Sequence, residues 1–335
     1  MGRFAAGDAP AMDRLVEETV TGVGADVAAL NVPRLAGLVL GGGYGRGEGG
    51  VCVKEEGRGK KEEGDREEAL SNDLDFFAIT EDDASGKDIA AIAAALEPVS
   101  KKWTERLGID VDFTVRTPWR IRHDQKRLMI QELLHGHVDV TGGKGETLFK
   151  DIERREPSQL PQSEAERLLL NRGMGLLLAR EEGRRRKEEG SPDVGFINRN
   201  INKCILGAGD ARLIAKGAYR WSATDRAAAL GDPLYTAAVE WKFRPRAEPV
   251  CDWEKARETW LAAYDEVSRL SQSSPSSIRR TPFNALRWLV RRRTLGELAT
   301  LGLPPETRVL RRIHAAICDR RPLVPSLLRD WQIFN

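Results

Sequence analysis

Two stretches decide how the chain folds: LAGLVLGGGYGRGEGG at residues 35–50 and SNDLDFFAIT at residues 71–80. The first is a short, wholly apolar strand, Leu35 to Leu40, that runs directly into glycines. Consecutive glycines let backbone N–H groups turn inward and approach a phosphate chain, and Arg46 adds positive charge beside them. The second begins with Asp73-Leu74-Asp75 and continues as a buried strand through Leu74, Phe76, Phe77, Ala78 and Ile79. Side chains alternate along a strand, so carboxylates at i and i+2 face the same way. Adjacent carboxylates repel unless a cation lies between them, and an all-oxygen donor set suits magnesium or manganese.

Outward from these stretches the pattern stays regular. Residues 11–30 carry Met12, Leu15, Val20, Val23, Val27 and Leu30 at helical spacing, and Pro33 closes that helix. A helix is expected at 86–107, and IDVDFTVRT at 109–117 alternates as a third strand. Asp112 faces the same side of that strand as Asp110; its deeper position favours Asp112 as a third carboxylate, without forcing the choice. A helix at 123–135 and the segment GHVDVTGG complete this half. From about residue 156 the patterns are helical only, at 163–182, 196–218, 225–243, 252–270, 282–300 and 305–318. The expected organisation is an α/β domain at 1–155, with a charged loop insertion at 54–69, and an all-helical domain at 156–335.

Composition narrows the function classes. With 41% apolar and 31% charged residues the chain is expected to be globular and cytoplasmic. No apolar run approaches a membrane span, the first ten residues lack a signal-peptide core, and four scattered cysteines suggest reduced thiols. Residues 1–150 hold 20 Lys+Arg against 27 Asp+Glu, a net of −7, and the remainder 33 against 24, a net of +9. An acidic half able to hold metal is thus followed by a basic half able to hold a polyanion.

Each feature alone is ambiguous. Gly45-x-Gly47-x-x-Gly50 matches a dinucleotide fingerprint, but a charged tract follows it instead of a helix. A kinase loop would need catalytic motifs that are missing. An Asp-x-Asp pair in a glycosyltransferase generally follows its apolar strand, whereas here it precedes one. Taken together, Gly42-Gly43-Tyr44-Gly45-Arg46-Gly47-Glu48 and Ser71-Asn72-Asp73-Leu74-Asp75 resemble the signature of the DNA polymerase β-like nucleotidyltransferase superfamily, and most of all its small bacterial-type members such as the aminoglycoside nucleotidyltransferases. The segment from Glu132 through Gly142 resembles the end of that domain. The resemblance covers roughly residues 35–145. It departs from the family pattern at Gly43, where serine is usual, and in the long charged tract between the two motifs.

The resemblance implies a small mixed sheet and transfer of a nucleoside monophosphate from a nucleoside triphosphate to an acceptor hydroxyl. It makes Asp73, Asp75 and Asp112 the metal ligands and catalytic carboxylates, and Gly42, Gly43 and Arg46 the nucleotide-binding groups. Lys203, with Arg199 on the same helix, is a further candidate to reach the triphosphate, with a solvated face as the plainer reading. The expected cofactor is Mg2+ or Mn2+, with NTP as co-substrate and a small molecule, protein or RNA as acceptor. Two other readings stay open: a nucleotide-binding toxin–antitoxin-type partner with little turnover, and an RNA-binding protein using the basic half. His135 and His137 fit a turn better than a metal site, and Asp210, Tyr219 and Trp221 fit packing or capping. The arginine pairs and triplets at 279–280, 291–293, 311–312 and 320–321 lack interleaved aromatics and read as surface charge.

Overall fold

The computed structural model describes residues 2–53, 68–142, 145–184, 190–272 and 305–334. Its elements divide into two compact units, Met1–Glu156 with Lys242–Arg246, and Pro157–Trp241 with Ala247–Asn335.

The first unit is α/β. Helix α1 (Pro10–Ala29) leads to β1 (Leu35–Leu40), then to a single helical turn α2 (Gly42–Gly45) and strand β2 (Val51–Val53). Strands β3 (Glu68–Leu70) and β4 (Leu74–Thr80) follow, then α3 (Gly86–Leu107), β5 (Val111–Arg116), α4 (Pro118–His123), α5 (Leu128–His135), β6 (Val138–Gly142) and α6 (Gly145–Leu148). The main sheet has the order β5-β4-β1-β6. β1 runs antiparallel to β4 and β6, and β5 runs parallel to β4. A parallel neighbour needs a crossover, and α3 supplies it. Ser85 and Asp88 form a reciprocal capping box at its start, and Gly108 ends it at φ 70.

Alternation sorts the strand residues onto two faces. Leu38, Leu40, Leu74, Phe76, Ala78 and Val111 pack beneath α1 and α3, against Val16, Val20, Val23, Ile92, Leu96 and Trp103. The α1–α3 contact is close because Gly22 stands under the indole of Trp103, where a Cβ would come within 2.5 Å of the ring. Trp103 Nε1 also donates to Asp26 at 2.8 Å. The opposite face gathers Val39, Phe77 and Ile79 with Ile121, Ile130, Leu133 and Leu134 of α4 and α5. Asp75 shares the parity of Phe77 and Ile79, so it lies on this second face, at the end of the strand that precedes the apolar cluster.

Three boundaries differ from the sequence reading. The helix expected at 123–135 is two helices, because the carbonyls of Arg120 and Asp124 are bonded by the Asp124 and Arg127 amides in a turn between them. GHVDVTGG contains an edge strand, β6, whose Val138 pairs with Leu40. The charged insertion expected at 54–69 is shorter than that. Glu68 and Ala69 already belong to β3, which pairs with β2 through Val51↔Leu70, Cys52↔Ala69 and Val53↔Glu68. Leu70 is buried and anchors that return strand, a signal hidden by the charges before it.

In the second unit the described elements are helices: α7 (Gln162–Gly183), α8 (Val194–Ala215), α9 (Ala223–Leu230), α10 (Pro233–Phe243, whose last two residues belong to the first unit), α11 (Trp253–Gln272), α12 (Pro305–Cys318) and α13 (Pro325–Gln332), after a short 3-10 turn. The expected helix at 225–243 is broken by Gly231 in the left-handed region, followed by Pro233. The helix expected at 282–300 lies outside the described residues. Trp260 is fully buried and donates to the carbonyl of Leu169, and Gly173 gives it room, since a Cβ there would meet the indole at 2.7 Å. No helix among the described residues is long and apolar enough to cross a membrane. All four cysteines are free thiols.

Candidate active site

The two motifs meet at the end of β1. Gly41 extends the ladder by one rung, donating its N–H to the carbonyl of Asp75 at 2.8 Å. The chain then coils into α2, whose Gly45 N–H returns to the Gly41 carbonyl at 2.8 Å. The amides of Gly42 and Gly43 open this turn ahead of that first bond. Gly42 has φ +62, and a Cβ there would lie 2.2 Å from Oδ2 of Asp75. Gly45 is equally constrained: a Cβ would sit 2.6 Å from the Leu40 carbonyl oxygen. Only hydrogen fits at either place, so the glycine turn and the Asp75 carboxylate are in direct contact. At Gly43 a Cβ would be 3.4 Å from the Glu48 carbonyl, ordinary contact.

Tyr44 pins the second motif to the first. Its side chain is fully buried, its hydroxyl donates to the Gly50 carbonyl at 2.7 Å, and it accepts from the Ser71 amide at 3.2 Å. Burial pushes the Tyr44 hydroxyl up to about 12, so it stays protonated and able to donate. Asn72 completes the link, its Oδ1 accepting from the Gly50 amide at 2.6 Å. The N-terminal segment lies against the same loop: Gly49 donates to Phe4, Ala6 donates to Gly49, and Asp13 accepts from the amides of Arg3, Phe4 and Ala5.

The strand register then fixes the carboxylates. Asp75 is the paired partner of Asp112 across the parallel β4–β5 ladder. Paired residues of adjacent strands project to the same face, and Asp73 lies two residues ahead of Asp75 on that face. Asp110 precedes β5, and its carbonyl accepts from the Leu74 amide at 2.9 Å. Asp75 is half-buried, while Asp73, Asp110 and Asp112 are exposed. The Asp112 carboxyl is held above the usual range, first by partial burial and then by the charges of Asp110 and Asp73. The donor chemistry fits a hard divalent cation, although among the described residues no three acidic, His or Cys side chains are drawn together tightly enough to hold one.

Arg46 and Lys203 differ from the simplest expectation. The Arg46 guanidinium is mostly buried, with Nη1 3.4 Å from Glu132 and Nε 3.9 Å from Glu48. Its stem packs on Gly136, where a Cβ would meet Cγ at 2.3 Å. Glu48 is itself buried and accepts from Lys242 Nζ at 2.8 Å. Arg46 therefore anchors the glycine loop through carboxylates, and contact with a phosphate would require exchanging one of them. Lys203 is exposed on α8, as is Arg199, and both belong to the second unit. Tyr44, Glu48 and Asn72 stand in the two sequence motifs without an assigned role, and Lys242 is not singled out by the sequence. A tyrosine set among glycines was the available signal for the first.

The remaining candidates have structural partners. His135 and His137 bond to the carbonyls of Arg155 and Leu133. Asp210 pairs with buried Arg226 at 2.9 Å, and Arg226 lies 4.9 Å over the Tyr219 ring. Tyr219 and Trp221 follow α8 rather than lying on it. Arg312 pairs with Asp330 and Arg320 with Glu254, while residues 279–280 and 291–293 lie outside the described residues.

Comparison with known protein families, with curated proteins and with solved structures finds no match to this chain.

Proposed function

We propose that the chain is a nucleotidyltransferase of the DNA polymerase β-like kind. It would transfer a nucleoside monophosphate from a nucleoside triphosphate to an acceptor hydroxyl and release pyrophosphate. The observation that carries this reading is the pairing of Asp75 with Asp112 on one sheet face, with Asp75 in contact with the glycine turn at Gly42. The alternation of Asp73 with Asp75 and the short path from β1 into that turn support it further.

The roles follow from position. The amides of Gly42 and Gly43 would bind phosphate oxygens, since the turn leaves them ahead of its first internal bond. Magnesium or manganese held by Asp73, Asp75 and Asp112 would neutralise the triphosphate and lower the barrier to ionising the hydroxyl. The acceptor oxygen attacks the α-phosphorus as the bond to the bridging β-phosphate oxygen breaks, and pyrophosphate carries away that electron pair. Asp112 would take the hydroxyl proton, a role its place beside Asp75 on the same sheet face allows. Arg46 holds the loop in place through Glu48 and Glu132.

The direct test supplies the full chain with each α-labelled nucleoside triphosphate, magnesium and a cell lysate as acceptor source. Label should pass to an acceptor, and Asp75→Asn and Asp112→Asn should lose it while melting as cooperatively as the parent. Nucleotide binding without any transfer would favour a partner protein of the toxin–antitoxin type, and retained transfer in both variants would remove the carboxylates from the site.

A further inference from the structure

The segment that follows β5 carries a second feature, RTPWRIRHDQKRLM at 116–129, in which cations and aromatics interleave. Trp119 is 57% exposed, an unusual state for the largest apolar side chain, and Met129 nearby in the sequence is also exposed. The indole stacks on His123, one helical turn later, with ring centroids 5.3 Å apart and planes 9° from parallel. Stacking in this way orders two aromatic rings at the surface instead of hiding them.

The charges around them do not balance. Arg116, Arg120, Arg122, Lys126 and Arg127 fall within twelve residues that include one carboxylate, Asp124. Arg120 and Arg127 share it, at 2.8 and 3.3 Å, and Arg122 is neutralised by Asp82 through two bonds. Lys126 is exposed. Arg116 bonds only to the carbonyl of Val115, at 3.2 Å, and forms no ion pair among the described residues. Burial, and then the charge of Arg120, depress its affinity for its proton, with Arg127 adding to the effect and Asp124 opposing it. A half-desolvated guanidinium flanked by like charge gains most from an anion. The surrounding half of the chain carries a net of −7, so this excess is local and not a general feature of the surface.

We infer that Trp119 and His123 form a stacking platform, and Arg116, Arg120 and Arg127 a phosphate grip, for a single-stranded polynucleotide. An aromatic face accepts any base, and adjacent guanidinium groups track the backbone, the combination that single-strand binders use. The spacing is compatible with the carboxylates. Arg116 lies four residues along β5 from Asp112 and shares its face, which places the two Cα atoms roughly 13 Å apart. If the transferase reading above holds, on which this last step alone rests, a strand lying on the platform would present a terminal hydroxyl to Asp112, and the acceptor would be a nucleic acid.

Binding is measured by fluorescence anisotropy of a labelled mixed-sequence RNA 12-mer titrated with the full chain in chelator, over a series of salt concentrations. Trp119→Ala should weaken binding roughly tenfold, and at an exposed site it should leave the melting temperature unchanged. Arg116→Gln should flatten the plot of log affinity against log salt by about 0.7 for the lost phosphate contact. Asp75→Asn should bind as the parent does even if it transfers nothing, which separates this surface from the transferase reading. Unchanged affinity in Trp119→Ala, or equal affinity for a duplex of the same length, would overturn the platform.

Discussion

Asp75 and Asp112 occupy paired positions on adjacent parallel strands, and Asp75 also touches the glycine turn. The contact at Gly42 and the register of β5 therefore converge on one carboxylate. That convergence ties the glycine turn to the acidic pair of strands, and each variant below separates one part of it.

The setting of Asp112, partly desolvated and then close to the charges of Asp110 and Asp73, gives the first consequence. The folded-state pKa of Asp112 is raised above its ordinary 3.8, so this carboxyl favours the folded state below its unfolded pKa, and that contribution is lost as pH rises through the folded value. In chelator at pH 7, Asp112→Asn should melt at or above the parent temperature. The advantage should close as the solution is acidified below the ordinary carboxylate range, where the parent also becomes neutral at this site. Thermal melts at pH 7 and pH 3 check this, and a parent that melts higher at pH 7 without metal would contradict that setting.

The glycines are not equivalent. Gly42→Ala places a side chain in the left-handed region and drives Cβ to 2.2 Å from Asp75 Oδ2. Backbone strain of this kind costs about 1–3 kcal/mol, and the displaced carboxylate should carry the loss into nucleotide transfer. Gly43→Ser meets nothing closer than 3.4 Å and should retain both stability and transfer. Denaturant titration of the two variants in parallel distinguishes them, and equal losses would contradict the close approach of Gly42 to Asp75.

Tyr44 should act as a tie between the motifs. Tyr44→Phe keeps the buried ring but removes the hydroxyl's bonds to the Gly50 carbonyl and the Ser71 amide, which still bond to each other at 3.2 Å, so the loss should be about 0.5–1.5 kcal/mol. Hydrogen exchange at Ser71 should accelerate more than at residues of α1, which the tie does not touch. Uniform acceleration across the first unit would mean that the hydroxyl stabilises the unit as a whole and does not couple the two motifs.

The length of the charged tract should matter little. Residues 54–67 contain only Lys, Arg, Glu, Asp and Gly, and the strands on either side pair from Val51↔Leu70 to Val53↔Glu68. Replacing 54–67 with a short Gly-containing turn should preserve the melting temperature and the transfer reaction, because loop length changes closure entropy only slowly. Loss of the fold in that chain would assign the tract a structural role.

How much of this was legible beforehand depended on whether the physics was local. Periodicity established that Leu35–Leu40, Leu74–Thr80 and Val111–Arg116 are strands and that α1 and α3 are amphipathic, because it records which side of an element meets the core. It also placed Asp73 and Asp75 on one face, since alternation is a property of a single strand. Long-range packing settled what periodicity cannot carry. Pairing of β4 with β5 in parallel register depends on the crossover through α3, and only that register sets Asp112, rather than Asp110, opposite Asp75. The engagement of Arg46 by Glu48 and Glu132, the Lys242 contact with Glu48, and the bridge from Tyr44 to Ser71 join residues from 2 to 194 positions apart. A buried polar group must find a partner wherever the fold brings one, and no spacing in the sequence announces which partner that will be.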